Sequence, residues 1–202
     1  MLSSIHPLGE RGRSNRWGLT VTAHVIGSTA GGALVGGGLG AVGWLSAELG
    51  VHQRARAGVL VPLALVATVV DARGWPRWLP RTRRQVDERW LNAYRGWVYG
   101  AGFGFQLGMG AVTIVTAATV YLVGAAAVVL ASPLSGALVG GAYGAARGAT
   151  ILAGRSIRTP ARLVEFHRGL IARRRLGVRA AVLGDIAVAV GAMVVLVGWG
   201  AS

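Results

Sequence analysis

Three ionisable residues interrupt long apolar stretches of the sequence and are the residues best placed to do chemistry. His24, Arg147 and Asp185 each lie six to eight residues inside an apolar stretch. At about 1.5 Å per helical residue, each is roughly 9–12 Å from the end of its helix, so the three depths agree. Ionisable groups at membrane depth are costly and are candidates for function. The three residues are therefore the candidate intramembrane polar site.

The chemistry of these residues depends on their partners. The first hypothesis is that Arg147 and Asp185 form a static ion pair between two helices, which neutralises both charges. The functional alternative is an inward-facing proton or anion site in which His24 is the titrating member. A third interpretation is that each side chain reaches the interface independently. For the hydroxyl of Thr119, a bond to a backbone carbonyl of its own helix is an equally good interpretation as a role in the site.

The sequence shows no set of residues typical of an enzyme or a metal site. The four histidines are scattered, and no carboxylates cluster as an acid and base pair or as a metal shell. The chain has no Cys, which excludes a disulfide framework. Gly38, Gly40 and Gly43 match a dinucleotide-binding pattern but lack the preceding strand that it requires. We expect no catalytic residues, no metal and no cofactor, and a chain that is not an enzyme.

Composition predicts the elements that position these residues. The chain has 202 residues, of which 53% are hydrophobic and 14% charged, and its mean hydropathy is +0.53. These values are typical of an all-α, polytopic membrane protein, here a single integral-membrane domain spanning 1–202. Five spans are predicted near 17–47, 55–73, 96–131, 133–154 and 180–201. The third would measure about 54 Å as one helix, so it must tilt, project from the bilayer or break near 106–110.

The distribution of arginine predicts the orientation. All 21 basic residues are Arg, and with five spans and a cytoplasmic N-terminus 18 of them fall inside and two outside. Splitting the third span would equalise the two sides, so the positive-inside rule favours five spans. The net charge of +14 is then explained by loops facing anionic lipid, with no nucleic-acid partner. We expect a multi-pass protein of the bacterial cytoplasmic membrane.

Two arginine-rich segments, 74–95 and 155–179, are predicted to lie at the cytoplasmic interface. In the first, Trp90, Tyr94 and Trp97 recur at helical spacing and should form one aromatic face leading into the third span. In the second, Thr159 can cap an amphipathic helix that begins at Pro160; a solvated basic loop is the alternative. The residues expected to contact the lipid interface are Trp90, Tyr94, Trp97, Arg173, Arg174 and Arg175.

Small residues recur every four positions and predict close helix packing. Such a series places glycines on one face, where two backbones can approach and gain dispersion contacts. We interpret three series as glycine zippers. Their members are Ser28, Gly32, Gly36 and Gly40; Gly96, Gly100, Gly104 and Gly108; and Gly136, Gly140, Gly144 and Gly148.

Two of these series also resemble each other. Residues 32–41 and 136–145 agree at eight of ten positions, and in a five-span topology their helices run in opposite directions. An inverted repeat is typical of secondary transporters, whereas convergence within a small alphabet of residues explains the match equally well. The favoured function is a non-catalytic accessory or scaffold subunit, packed by glycine zippers with other membrane subunits or with copies of itself. The alternative is a transporter or channel for a small solute, proton or ion.

Overall fold

The computed structural model describes residues 5–73, 90–110, 118–172 and 174–198. Within these ranges the chain is helical and contains no strand. The helices are α1 (Pro7–Gly12), α2 (Trp17–Glu48), α3 (Gln53–Arg73), α4 (Trp90–Ala93), α5 (Gly96–Gly108), α6 (Thr119–Leu130), α7 (Pro133–Ala149), a 3-10 helix (Thr150–Ser156), α8 (Pro160–Ala172) and α9 (Arg174–Gly198). The all-α class expected from the composition is confirmed.

Helix α2 is the central element of the bundle. Its 32 residues correspond to about 48 Å at 1.5 Å per residue, and α5, α6 and α7 all pack against it. Its buried positions are mostly small, including Gly27, Gly31 and Gly43, so the neighbouring backbones can approach it closely. Since α2 lacks a side-chain cap at its N-terminus, packing supplies most of its stability.

The second layer is formed by α3, α9 and the α6 helix. Buried Leu60 and Ala64 of α3 pack with Leu122 of α6, and Val188 and Ala189 of α9 lie against this cluster. Small and medium apolar side chains predominate here. This layer completes the side of the bundle on which Asp71 and Asp185 lie.

Many large apolar side chains point outward, while several polar ones are buried. Leu34 of α2 is 63% exposed and Leu183 of α9 is 66% exposed, whereas His24, Ser28 and Asp185 are buried. A water-soluble monomer rarely exposes contiguous apolar faces. By length and composition, α2 and α3 are the described helices able to cross a membrane, and α6 is a shorter apolar helix.

The third apolar stretch is not a single helix. It consists of α5 and α6, and both run in the same direction along α2: Gly108 packs at Ser28, and Gly124 lies beside Leu39. The prediction of one span over 96–131 is therefore corrected to two half-helices in line. The break occurs at the place considered from the sequence, near 106–110, but it produces an interrupted segment and no reversal of direction.

The aromatic helix predicted to lead into this segment is also interrupted. Helix α4 ends at Ala93, and a new helix begins at Gly96 with Arg95 at its N-cap. Trp90 instead folds back onto the bundle, where it stacks on Phe103 with ring centroids 6.0 Å apart. Aromatic burial against α5 therefore replaces a continuous aromatic face, and the remainder of the predicted segment, 74–89, lies outside the described residues.

The second arginine-rich segment contains the predicted helix. Helix α8 begins at Pro160, and Thr159 Oγ1 accepts a hydrogen bond of 3.4 Å from the backbone N–H of Arg162. None of its side chains is buried, and Ile171 is 76% exposed. An amphipathic helix with an unburied apolar side fits an interfacial location.

Candidate functional site

The interruption between α5 and α6 brings two helix ends close to charged side chains of other helices. Helix α5 ends at Gly108, and Gly110 adopts φ +71°, a left-handed conformation that glycine tolerates at little cost. Helix α6 begins at Thr119, with Ala118 as its N-cap. Two helix ends, each with unpaired backbone groups, therefore lie inside the bundle.

Arg147 of α7 binds the end of α5. Its Nη1 donates a hydrogen bond of 3.1 Å to the carbonyl oxygen of Leu107, and its guanidinium lies 5.7 Å from the ring centroid of Tyr143. The C-terminus of a helix carries a partial negative charge, so a cation there is stabilised. The tyrosine ring adds a cation–π contact.

Asp71, at the end of α3, binds the start of α6. Its Oδ1 accepts a hydrogen bond of 2.7 Å from the backbone N–H of Ala118. The N-terminus of a helix carries a partial positive charge, so a carboxylate there is stabilised. The two ends of the break thus face side chains of opposite charge, each matching the helix dipole that it meets.

A second carboxylate reaches the same helix start. Thr119 Oγ1 donates to Asp185 Oδ1 at 2.8 Å and lies 3.4 Å from Asp71 Oδ2. Asp185 is fully buried, and its Oδ2 has no hydrogen-bond partner among the described residues. Two carboxyl groups therefore meet at one hydroxyl, and one of their oxygens has an unused hydrogen-bonding site.

The predicted ion pair between Arg147 and Asp185 is not formed. Each residue satisfies a different end of the break, one the Leu107 carbonyl and the other the Thr119 hydroxyl. The physical reason is that the two ends of an interrupted helix offer each charge a partner other than the opposite charge. The sequence pattern did not reveal where those ends lie. Thr119 likewise bonds to a carboxylate, not to the backbone of its own helix.

His24 lies apart from these residues. It is 2% exposed, its ring is hydrogen-bonded to the backbone of Gly100, and its Nδ1 has no partner among the described residues. It therefore belongs to the contact between α2 and α5. The three residues of the candidate polar site do not form one cluster.

A cavity of about 330 Å³ lies beside the break. Gly36 of α2, Gly108 and Gly110 at the end of α5, and Gly140 and Tyr143 of α7 are among the residues that line it. Its walls are mainly apolar or backbone, because glycines occupy the positions where side chains would fill it. A volume near 300 Å³ is at the lower end of the range for small-molecule pockets.

The glycine series make contacts between helices within the chain. A Cβ added to Gly100, Gly104 or Gly108 would lie closer than 3.0 Å to the α2 backbone. Between α2 and α7, an added Cβ on Gly32 or Gly140 would also lie closer than 3.0 Å to the backbone of the other helix. In addition, Ser28 Oγ donates a hydrogen bond of 2.6 Å to the carbonyl oxygen of Gly144. The positions at which an added Cβ would meet another helix include Gly32, Gly36, Gly40, Gly96, Gly100, Gly104, Gly108, Gly136, Gly140, Gly144 and Gly148.

The two similar ten-residue segments pack against each other as antiparallel helices with reciprocal contacts. Gly32 lies against the Gly140 carbonyl, and Gly136 lies against the Gly36 carbonyl. An offset of 104 residues converts the first pair into the second, so a local pseudo-two-fold axis passes between α2 and α7. An interface of this kind uses the same surface on both partners.

The predicted lipid-interface residues are only partly described. Tyr94 and Trp97 are half exposed, whereas Trp90 stacks within the bundle and contacts Tyr94 edge to face at 5.4 Å. Arg173 and the side chains of Arg174 and Arg175 lie outside the described residues. Contact of Tyr94 and Trp97 with the lipid interface stays a prediction.

Two carboxylates that the sequence interpretation did not single out have buried partners. Asp71 directly follows the apolar stretch 57–70, and this position at a span end could have drawn attention to it. Glu10 is fully buried and accepts hydrogen bonds from Thr20 and Tyr99 and from the guanidinium of Arg13. The sequence signal that could have identified Glu10 is that it is a single acidic residue within a basic N-terminal segment.

Comparison of the chain with protein-family models, with curated proteins and with solved structures finds no match.

Proposed function

We propose that the chain is a multi-pass bacterial inner-membrane protein of five spans, the third being interrupted, and that the Trp17 end of α2 faces the cytoplasm. The outward-facing leucines and the length of α2 and α3 support insertion. Arginines gather at the Trp17 end, where five line one cavity, whereas Arg54 and Arg56 lie in the first turn of α3 at the opposite end of the bundle. This asymmetry follows the positive-inside rule.

Within this framework, we propose that the chain transports a proton or small ion through the interrupted span. The observation that carries the proposal is the meeting of Asp71 and Asp185 at the Thr119 hydroxyl. Buried carboxylates in membrane proteins commonly mark proton relays. Two carboxyl groups sharing one donor can accept a proton on an unpaired oxygen and pass it on.

The surrounding architecture supports transport in two further ways. Secondary transporters commonly have interrupted helices whose ends lie near the middle of the bundle. They also commonly contain inverted repeats, which are related by a pseudo-two-fold axis. Here Arg147 stabilises the end of α5 while Asp71 stabilises the start of α6. The cavity of about 330 Å³ next to the break provides space for a small solute or for water.

The test is proton flux in proteoliposomes. Purified protein is reconstituted with pyranine inside, a potassium diffusion potential is imposed with valinomycin, and the internal pH is recorded. Asp185→Asn and Asp71→Asn should each lower the rate at least about tenfold, which is roughly 1.4 kcal/mol on the barrier. Thr119→Ser keeps the hydroxyl and should retain flux, and exposed Glu48→Gln is the matched control.

Size-exclusion profiles and thermal unfolding of each variant separate loss of flux from loss of fold. Wild-type vesicles that conduct no more protons than empty vesicles would overturn the proposal for protons. Normal flux in both aspartate variants would remove the carboxyl pair as its site.

An accessory or scaffold subunit is the second proposal. It is supported by the exposed apolar faces of α3 and α9, which include Val66, Leu183 and Val190 and could pack against other spans. The glycine series supports it less, because in this chain their members contact one another's helices. Native mass spectrometry after gentle extraction is the test: stoichiometric membrane partners would favour it, and a chain that emerges alone would count against it.

A further inference from the structure

A second cavity, of about 840 Å³, lies at the Trp17 end of the bundle. It is formed by α1, the start of α2, the end of the 3-10 helix and the start of α8. Trp17 lines it, and its indole N–H has no hydrogen-bond partner among the described residues. The charged residues that line it are Arg11, Arg16, Arg155, Arg158 and Arg162.

The walls of this cavity are fixed by buried contacts. The backbone N–H of Leu8 donates 3.1 Å to the carbonyl oxygen of Ile157, which ties α1 to the segment after the 3-10 helix. The side chains of Ile5 and Ile157 are fully buried there. The backbone that carries the arginines is therefore already ordered, which lowers the entropic cost of binding a ligand.

Nearby carboxylates leave most of this positive charge uncompensated. Glu10 is turned into the bundle, where it binds Arg13, Thr20 and Tyr99. Glu165 pairs with Arg162 at 3.1 Å on an exposed face. Among the described residues, no carboxylate forms a salt bridge with the other four arginines of the cavity.

We infer that this cavity binds an anionic phosphate group. Guanidinium groups bind phosphate through two parallel hydrogen bonds, and several of them can share one phosphate. The cavity opens beside Trp17, the first residue of a span, and basic pockets at the cytoplasmic ends of spans commonly hold anionic lipid headgroups. The phosphate can therefore be part of a membrane lipid or free in the cytoplasm. This inference rests on the proposed membrane orientation and is independent of the proton site.

The experiment measures binding by the full-length protein after delipidation in a neutral detergent. Thermal unfolding is followed while phosphatidylglycerol, phosphatidylcholine, inorganic phosphate or pyrophosphate is titrated. The variant Arg155→Gln/Arg158→Gln should bind about tenfold or more weakly, the loss expected for one charge-assisted hydrogen bond. Arg168→Gln/Arg179→Gln removes the same charge from exposed positions outside the cavity and is the matched control.

Stabilisation by phosphatidylglycerol alone identifies a lipid headgroup, and stabilisation by inorganic phosphate or pyrophosphate as well identifies a free phosphate. Either result, weakened in the cavity variant and kept in the control, supports the inference. Equal weakening in both variants would show general surface charge and overturn it. If the cavity variant fails to fold, the titrations of the wild type still decide. The site is excluded if phosphatidylglycerol stabilises the wild type no more than phosphatidylcholine does and neither inorganic phosphate nor pyrophosphate stabilises it.

Discussion

Replacement of one glycine in the contact between α2 and α7 tests the packing directly. A Cβ on Gly36 would lie closer than 3.0 Å to the Gly136 carbonyl oxygen and to Cα of Gly140. Both neighbours are backbone atoms, so the helices must move apart to admit a methyl group. Gly38, two residues further along the same helix, is exposed and has no atom within 4 Å of an added Cβ.

Gly36→Ala has two opposing effects on the free energy of unfolding, a packing cost and a gain in helix propensity. Overpacking costs about 1–3 kcal/mol, and a double contact with backbone places Gly36→Ala near the upper end. The gain in helix propensity returns about 0.5–1 kcal/mol, which leaves a net loss of about 2 kcal/mol. For a chain of this size 1 kcal/mol shifts Tm by about 2–4 °C, so Gly36→Ala should unfold about 4–8 °C lower. Gly38→Ala should unfold no lower than the wild type.

The assay is thermal unfolding of both variants in the same detergent, followed by near-ultraviolet circular dichroism. The pseudo-two-fold axis predicts a similar effect at the equivalent glycine of α7. Gly140 is the repeat counterpart of Gly36 and meets the equivalent backbone atoms of α2, the Gly32 carbonyl oxygen and Cα of Gly36, so Gly140→Ala should lower Tm by a similar amount. The counterpart of Gly38 is already alanine, Ala142. If Gly36→Ala and Gly38→Ala unfold at the same temperature, the close α2–α7 contact is refuted.

Three other predictions concern single interactions and orientation. Arg147→Gln removes the charged donor to the Leu107 carbonyl and should lower the free energy of unfolding by roughly 1.5–3 kcal/mol, measured by thermal unfolding. Tyr99→Phe removes a hydrogen bond to buried Glu10, so protease should cleave the N-terminal segment faster. A periplasm-active reporter fused after Ser202 should be active, because the proposed five spans and cytoplasmic N-terminus would place Ser202 outside the cytoplasm.

Matched controls give each of these predictions a clear negative outcome. Arg168→Gln changes the same charge on exposed α8, and a loss of stability equal to that of Arg147→Gln would contradict the role of the helix end. Tyr94→Phe is the control for Tyr99, because Tyr94 is half exposed; equal cleavage of both variants would contradict anchoring of α1. Reporter activity only in the cytoplasm would overturn the five-span orientation.

Local patterns in the sequence were sufficient for much of the bundle. The all-α class, the helix starting at Pro160 and its Thr159 cap depend on residues within a few positions of one another, and all are present. The four-residue spacing placed Gly32 and Gly136 on packing faces for the same reason. Helical periodicity fixes which side chains share a face before any partner is known.

The interruption of the third apolar stretch could be located from the sequence but not described. A length of about 54 Å required some departure from a single helix, and glycines near 106–110 indicated where. Among the described helices, α3 contains a proline, Pro62, in its interior. Breaks do not require proline, however, because Gly110 can adopt φ +71° and opposed charges can satisfy the exposed helix ends.

The sequence by itself determined the all-α class and the glycine faces of the helices, because both follow from local composition and helical periodicity. Only the tertiary structure decided the partner of each charge. Asp71 binds Ala118 across 47 residues, Thr119 binds Asp185 across 66, and Arg147 binds Leu107 across 40. Such pairings depend on where the half-helix ends meet other helices, and that arrangement comes from the long-range packing of the helices on one another, not from the spacing of the charges.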